Sequence, residues 1–320
     1  MDLCGVAMVT RGGTVVTELA AGPADAGADT GAGAPCTPAT RFQLCSVSKQ
    51  FAAAAALLLA ESGRLALDDT VDRWLPGGPP QWSGVTLHHL LSHTAGVPHW
   101  LEAPDLDPAE PMAIGERLAV IQRTPLRTAP GAAWHYSSLG FLLAGRIVER
   151  ASGRPYAEFV TERILAPLGL TATTVGGRPA ALAARGHRDG QRVTPFDLDT
   201  MPGTGDIWST AADVTRFTAA LHAGELITDG SLRAMLTPHA PVDDDDPREP
   251  RMITTGYGYG MFTGTFGGHA TYYHPGDNPG YLSFAGWIPD RSASVVILAN
   301  DESVGIVDLL RQLLPAALAP

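Results

Sequence analysis

The sequence predicts an α/β plus all-α chain: an antiparallel sheet flanked by helices and drawn from both ends of the chain, with a helical lobe inserted between. Three features predict it. β-Branched stretches lie near the start and strand-period stretches fill the last fifth, helical-period apolar repeats fill the middle, and an amphipathic stretch closes the chain. The expected organisation is an α/β lobe from residues 1–44 and 251–320, a mostly helical lobe from 45–250, and a cleft where they meet, all within one unit over 1–320.

Residues 6–10 and 14–19 flank Arg11-Gly12-Gly13, a turn signal between two strand patterns, and read as a hairpin. The Ala/Gly/Pro-rich stretch 20–38 reads as a surface loop. A long Ala/Leu helix pattern then opens near Ser46 and closes at Ser62-Gly63, where glycine suits a left-handed cap. Further helix patterns cover 86–93, 115–122, 138–151, 156–165 and 211–222, the last opened by the capping-box-like Thr210-Ala211-Ala212-Asp213. The acidic run 243–246 lacks the ligand alternation and central glycine of a calcium loop and reads as a solvated linker. Beyond it, 256–263, 270–274, 280–287 and 294–299 read as strands, and 304–314 as a final amphipathic helix.

At 320 residues, 45% hydrophobic and 17% charged, the chain supports a sizeable core. A net charge of -11 excludes a phosphate backbone or an anionic membrane as the main partner and points to a small molecule or short peptide. Cys4, Cys36 and Cys45 form neither an even set nor a zinc-ligand spacing, so no metal or other cofactor is expected. Met1-Asp2-Leu3-Cys4 lacks the basic start of a secretory leader, and the longest apolar run, 51–60, is far short of the ~20 residues of a membrane span. A cytoplasmic location is the default expectation, although a leader trimmed before this start would read identically.

The chemistry is announced by its lysine. Lys49 is the sole lysine, three positions after Ser46 in Cys45-Ser46-Val47-Ser48-Lys49. Residues at i and i+3 share a helix face, so hydroxyl and amine can point into one cleft. Arginine holds its proton near neutral pH, whereas a desolvated lysine releases it and becomes a base. A free lysine titrates near ~10.4; a drop of ~3 units, about 4 kcal/mol, lies within what burial supplies. Ser-x-x-Lys also arises by chance, so the motif needs company. Company comes from Tyr136, delivered before a helix by 130–135, and from His274-Pro275-Gly276-Asp277 at the end of a late strand pattern. Cys45, beside the serine, reads as a small apolar packing residue.

In this order the motifs resemble the serine β-lactamase and penicillin-binding-protein superfamily, nearest its class C β-lactamase, DD-peptidase and esterase branch. The likeness spans nearly the whole chain and includes Phe42-Gln43-Leu44-Cys45-Ser46-Val47-Ser48-Lys49, Leu90-Leu91-Ser92-His93-Thr94-Ala95-Gly96, Gly205-Asp206-Ile207-Trp208-Ser209-Thr210-Ala211-Ala212-Asp213 and Tyr257-Gly258-Tyr259-Gly260. The resemblance implies a β-lactamase/transpeptidase-like fold and a serine hydrolase that passes through an acyl-enzyme on an ester or D-amino-acid peptide, with weak β-lactamase activity as a further option. It implies Ser46 as nucleophile, Lys49 and Tyr136 as the proton-handling pair, and Ser138 as the third residue of a Tyr-x-Asn-type motif. His274 and Gly276 would line the opposite wall, and the backbone N–H groups of Ser46 and Asp277 would form the oxyanion hole, with Gly276 letting substrate lie against the strand. Which of Lys49 and Tyr136 holds the proton stays open, because the two titrate together.

Two positions depart from the superfamily pattern. Ser138 stands where asparagine is usual, and His274 replaces the lysine of Lys-Thr-Gly, exchanging a permanent cation for a group titrating near ~6.5. Both tilt the expectation away from efficient β-lactam hydrolysis. An acyltransferase or cyclase, and a non-catalytic penicillin-binding-type protein, are the alternatives. Gly-x-Ser-x-Gly and His-Glu-x-x-His are absent. His89 and His93, four apart on an expected helix, read as packing rather than metal ligands, and Trp100, Trp134, Trp208 and Tyr281 are candidates for the acyl pocket.

Overall fold

The computed structural model describes residues 3–25, 33–242 and 252–319. The acidic run 243–246 and part of the loop 20–38 lie outside the described residues. In chain order the elements are β1 (Gly5–Arg11), β2 (Thr14–Ala21), β3 (Phe42–Gln43), α1 (Ser48–Glu61), α2 (Val71–Trp74), α3 (Leu87–Leu91), α4 (Ile114–Arg123), α5 (Ser138–Ser152) and α6 (Tyr156–Val160). There follow β4 (Thr174–Val175), β5 (His187–Arg188), β6 (Gln191–Arg192), β7 (Ile207–Ser209), α7 (Ala211–His222), α8 (Asp229–Leu236), β8 (Met252–Tyr257), β9 (Phe262–Phe266), β10 (His269–Asn278), β11 (Tyr281–Ile288), β12 (Ala293–Ala299) and α9 (Ile306–Leu318).

Seven strands form one antiparallel sheet in the order β2-β1-β12-β11-β10-β9-β8, so the first hairpin docks on the last strand. Period-two alternation explains why this sheet is covered twice. Along β12, Val296 and Leu298 join the large core shared with α1, α5 and α7, while Val295, Ile297 and Ala299 join a second core closed by Leu309, Leu310, Leu313 and Leu314 of α9. α7 comes from the middle of the chain and packs on the sheet's inner face.

Several boundaries differ from those read in the sequence, each for a local reason. The stretch 256–263 is two strands, not one: Tyr257 ends β8 and Phe262 starts β9. A Cβ at Gly258 would lie 2.1 Å from the carbonyl oxygen of Met235, and one at Gly260, with φ +72°, 2.6 Å from that of Lys49. The Tyr-Gly alternation that imitates a strand therefore serves a turn pressed onto α1. The strand expected over 270–274 continues through His274-Pro275-Gly276-Asp277 to Asn278. The helix expected over 156–165 becomes a π-helical turn at Thr161–Leu165, and the last helix starts two residues later than expected and runs past Pro315.

α3 ends at Leu91, so His93, with φ +58°, is off the helix and His89 and His93 do not share a face. No cluster that would hold a metal occurs among the described residues, and none of their helices is long and apolar enough to cross a membrane.

Candidate active site

A buried three-residue 3-10 turn, Cys45–Val47, runs directly into α1 and carries Ser46 to the floor of a cleft of about 660 Å³. Cys45 adopts φ +50°, a conformation that a residue with a Cβ seldom accepts, and its buried side chain anchors the turn through Sγ contacts to the carbonyls of Gln43 (3.5 Å) and Tyr281 (3.6 Å). Burial pushes the Cys45 thiol far above its ordinary pKa, so it is an inert packing group.

One helical turn on, Lys49 is fully buried. Its Nζ is 3.0 Å from Ser46 Oγ and donates to the carbonyl oxygen of Thr204 at 2.7 Å. Desolvation brings the amine down to about 7, opposed by the nearby Asp206 carboxylate. Asp206 is itself buried and raised to about 7, although it accepts the N–H of Gly203 at 3.1 Å and feels Lys49. At neutral pH the amine therefore has an accessible unprotonated form whose lone pair can face the Ser46 hydroxyl.

Tyr136 closes the triangle. Burial raises its phenol above the ordinary pKa, opposed by the neighbouring Ser46 and Ser138 hydroxyls, and its ring centroid lies 5.1 Å from Lys49 Nζ. Ser137 positions it: as N-cap of α5 its Oγ accepts the N–H of Gly140 at 2.9 Å and donates to the carbonyl of Pro98 at 2.9 Å, and its N–H donates to His93 Nδ1 at 3.1 Å. The His135 N–H donates to the carbonyl of His93, lacing the tyrosine segment to the loop after α3.

β10 forms the facing wall. Its pairing with β9 stops at Tyr273, whereas its ladder with β11 continues to Asn278, so one edge of residues 274–278 lacks a neighbouring strand. Proline fits such a ladder only where its nitrogen faces away from the partner. Pro275 sits opposite Phe284 of β11, which turns its nitrogen to the open edge, and by the alternation of an antiparallel pair the N–H of Asp277 points the same way.

The structure adds to one expectation here and corrects another. Gly276 lines the cleft, and a Cβ there would lie 2.3 Å from Ser283 Oγ, 2.8 Å from Cys45 Cβ and 2.8 Å from the Leu44 carbonyl oxygen. The glycine thus lets β10 press against the turn that carries Ser46. His274 is not a cation titrating near neutrality, because burial and Lys49 push it down to about 3. Its Nδ1 lies against the Pro275 carbonyl, which assigns the proton to Nδ1 and leaves Nε2 to accept the Tyr257 hydroxyl at 3.0 Å.

Of the aromatic candidates, Trp100 lines this cleft. Trp134 lines a separate cavity beside Thr94 and Val242. Trp208 and Tyr281 are buried against Cys45, behind the turn that carries Ser46, so they support the turn rather than the pocket. Sequence reasoning missed His99, Phe196, Phe262, Arg188 and Glu302, which also line the cleft, and the buried Asp206. His93 and Asp206 fall within stretches already conspicuous in the sequence, but His99, Arg188 and Phe196 carry no local signal.

Fold and site together present a serine three positions before a buried lysine at the start of a helix, the Ser-x-x-Lys arrangement. The chain belongs to the Beta-lactamase family, whose model matches residues 1–315. It is 30% identical over 285 residues to penicillin-binding protein 4* of Bacillus subtilis, covering 82% of this chain and 61% of that one. It is 37% identical over 206 residues to esterase EstB of Burkholderia gladioli, covering 58% of this chain and half of that one. The chain thus spans less than two thirds of the length of either. Among solved structures, the D-amino acid amidase of Ochrobactrum anthropi SV3 superposes with a TM-score of 0.84 at 26% identity, covering 98% of this chain and 94% of that one.

Proposed function

We propose that the protein is a serine hydrolase that forms an acyl-enzyme on Ser46 and cleaves an ester or amide bond in a small molecule or short peptide. The observation that carries this reading is the buried Lys49 amine, brought down to about 7 and held 3.0 Å from the Ser46 hydroxyl. Ser46 Oγ attacks the carbonyl carbon while its proton passes to Lys49 Nζ, with Tyr136 sharing the proton. The oxygen that becomes negative accepts the N–H groups of Ser46, at the start of a helix, and of Asp277. As the carbonyl reforms, the leaving group departs with the proton returned through Lys49 and Tyr136. Water then attacks the ester and gives a proton to the same pair, which passes it to Ser46 Oγ as the C–Oγ bond breaks, releasing the acid and restoring the Ser46 hydroxyl. The cleft lies between the sheet portion (1–44 and 251–320) and the mostly helical 45–250.

The charges in the cleft favour an acyl donor without a carboxylate. Arg188 is held by Glu302 through two hydrogen bonds (2.7 and 2.9 Å), His274 is neutral, and Asp277 adds negative charge at the wall. Trp100, Phe196, Phe262, Leu282 and Ile306 give the cleft an apolar lining suited to a hydrophobic acyl group. Esterase EstB and the D-amino acid amidase are the relatives whose names agree with this reading.

The test is to treat the protein with a fluorophosphonate, an activated ester, a D-alanyl amide and a penicillin, and to map the adduct by mass spectrometry. A mass increment on Ser46 from the fluorophosphonate and the ester, absent in Ser46→Ala, is the expected result. Labelling that survives Ser46→Ala would overturn it.

A further inference from the structure

The cleft contains a histidine to which the acyl-transfer scheme gives no task. His99 follows Pro98 and starts the 3-10 turn Trp100–Glu102. Its Nδ1 accepts the N–H of Leu101 at 3.4 Å, which assigns the proton of the neutral ring to Nε2. Nε2 lies 3.5 Å from the Oγ of Ser138, a fully buried serine whose hydroxyl neighbours the Tyr136 phenol and acts to lower its pKa. The residue is anchored through its main chain. Its backbone N–H donates to Glu102 Oε2 at 3.0 Å, and that carboxylate also accepts from His135 Nε2 at 2.9 Å and pairs with Arg127. His135 is the residue before Tyr136, so one carboxylate fixes the spacing between the His99 turn and the tyrosine segment.

We propose that His99 is a positioning residue that acts through Ser138 on Tyr136, the serine at the third place of the motif being used to orient and polarise the phenol. This rests on the acyl-enzyme reading given above. In the resulting chain His99 Nε2–H donates to Ser138 Oγ, Ser138 O–H donates to Tyr136 Oη, and Tyr136 faces Ser46. Each donor makes the next one stronger, and the last stabilises negative charge on the phenol oxygen. The short serine, which lacks the amide of asparagine, leaves the imidazole room to complete the chain. Burial and Lys49 bring His99 down to about 4, so the ring stays neutral and keeps this direction of donation across the working pH range. No proton enters or leaves the protein through His99.

The experiment measures single-turnover acylation by p-nitrophenyl acetate against pH for the wild type, His99→Phe, His99→Gln, Ser138→Ala and the His99→Phe/Ser138→Ala double variant. Fluorophosphonate labelling of wild-type Ser46 is confirmed first; its failure would count against the acyl-enzyme reading alone. His99→Phe keeps volume without a donor and is expected to lower the acylation rate about tenfold, to leave KM within about twofold, and to move the ascending limb to higher pH. His99→Gln, which retains an N–H donor, is expected to restore most of the rate and the limb. The double variant should be no slower than Ser138→Ala, since both act through one chain. A loss in His99→Phe that is equal at every pH, a His99→Gln variant as slow as His99→Phe, or additive losses in the double variant would overturn the proposal. Should His99→Phe be recovered unfolded, the limb of Ser138→Ala against that of His99→Gln decides: it moves in the first and not in the second, or the proposal fails.

Discussion

The Nζ of Lys49 lies 3.0 Å from the Oγ of Ser46 and also donates to the Thr204 carbonyl at 2.7 Å. A carbonyl oxygen accepts an N–H from either protonation state of the amine, so the Thr204 contact aims Nζ without committing it to carry charge. What remains for Ser46 is the lone pair once the proton has gone.

Lys49→Arg is accordingly expected to lose acylation as fully as Lys49→Ala. Arginine retains the charge and the reach but not a proton that leaves near neutral pH. Burst kinetics with an activated ester should fall about 10²–10⁴-fold in both variants. An arginine variant within tenfold of wild type would remove Lys49 from the base role.

Asp206→Asn should move the ascending limb of the acylation profile, centred near 7, toward lower pH. The carboxylate favours the ammonium form of Lys49, and the amide does not. Because both groups sit at about 7, the wild-type limb belongs to the coupled groups around Ser46 rather than to one side chain. Stopped-flow acylation across the pH range measures the shift, and an upward movement would contradict the assignment.

Stability carries its own signature of the buried amine. Lys49 binds its proton less tightly folded, at about 7, than unfolded, at 10.5. The unfolded chain therefore holds more protons between those values, and this residue's contribution makes stability rise with pH across that window. Lys49→Met should raise urea-unfolding stability at pH 7 by on the order of a few kcal/mol and flatten that rise, while abolishing acylation. A destabilised methionine variant at pH 7 would show that desolvation is offset elsewhere.

Gly276→Ala should cost roughly 1–3 kcal/mol, because the added methyl meets the Cys45 side chain and the Leu44 carbonyl as well as the Ser283 hydroxyl. Adding Ser283→Gly removes only the 2.3 Å contact, so it should recover part of the loss in thermal unfolding and leave the acylation rate depressed. Full recovery of both would mean that β10 does not set the position of the Ser46 turn.

Much of this arrangement is legible in the sequence. Lys49 stands out because it is the sole lysine, and the i, i+3 spacing from Ser46 needs only helix geometry to become a contact. The α1 and α7 segments are recognisable by their cap signals at Gly63 and Thr210, and α5 by its helix pattern, whereas its cap at Ser137 is a finding of the structure. What sequence could not convey was burial. The protonation of His274 depends on enclosure by Tyr257 and the β10 backbone, and the role of Gly276 depends on a turn more than two hundred residues away. The same holds for α8, a short helix capped by Thr228 whose buried face is little more than Met235. Trp208 and Tyr281 carry the composition of a binding pocket but close the back of the turn that carries Ser46.

The lone lysine also governs how the molecule meets amine-directed reagents. With the ε-amine sealed in the interior, the folded surface offers no lysine to N-hydroxysuccinimide esters, aldehydes or isothiocyanates. Such a reagent reaches Nζ only when α1 separates from its surroundings. A tag on that nitrogen would count opening events, and a ligand seated on Ser46 would slow its appearance.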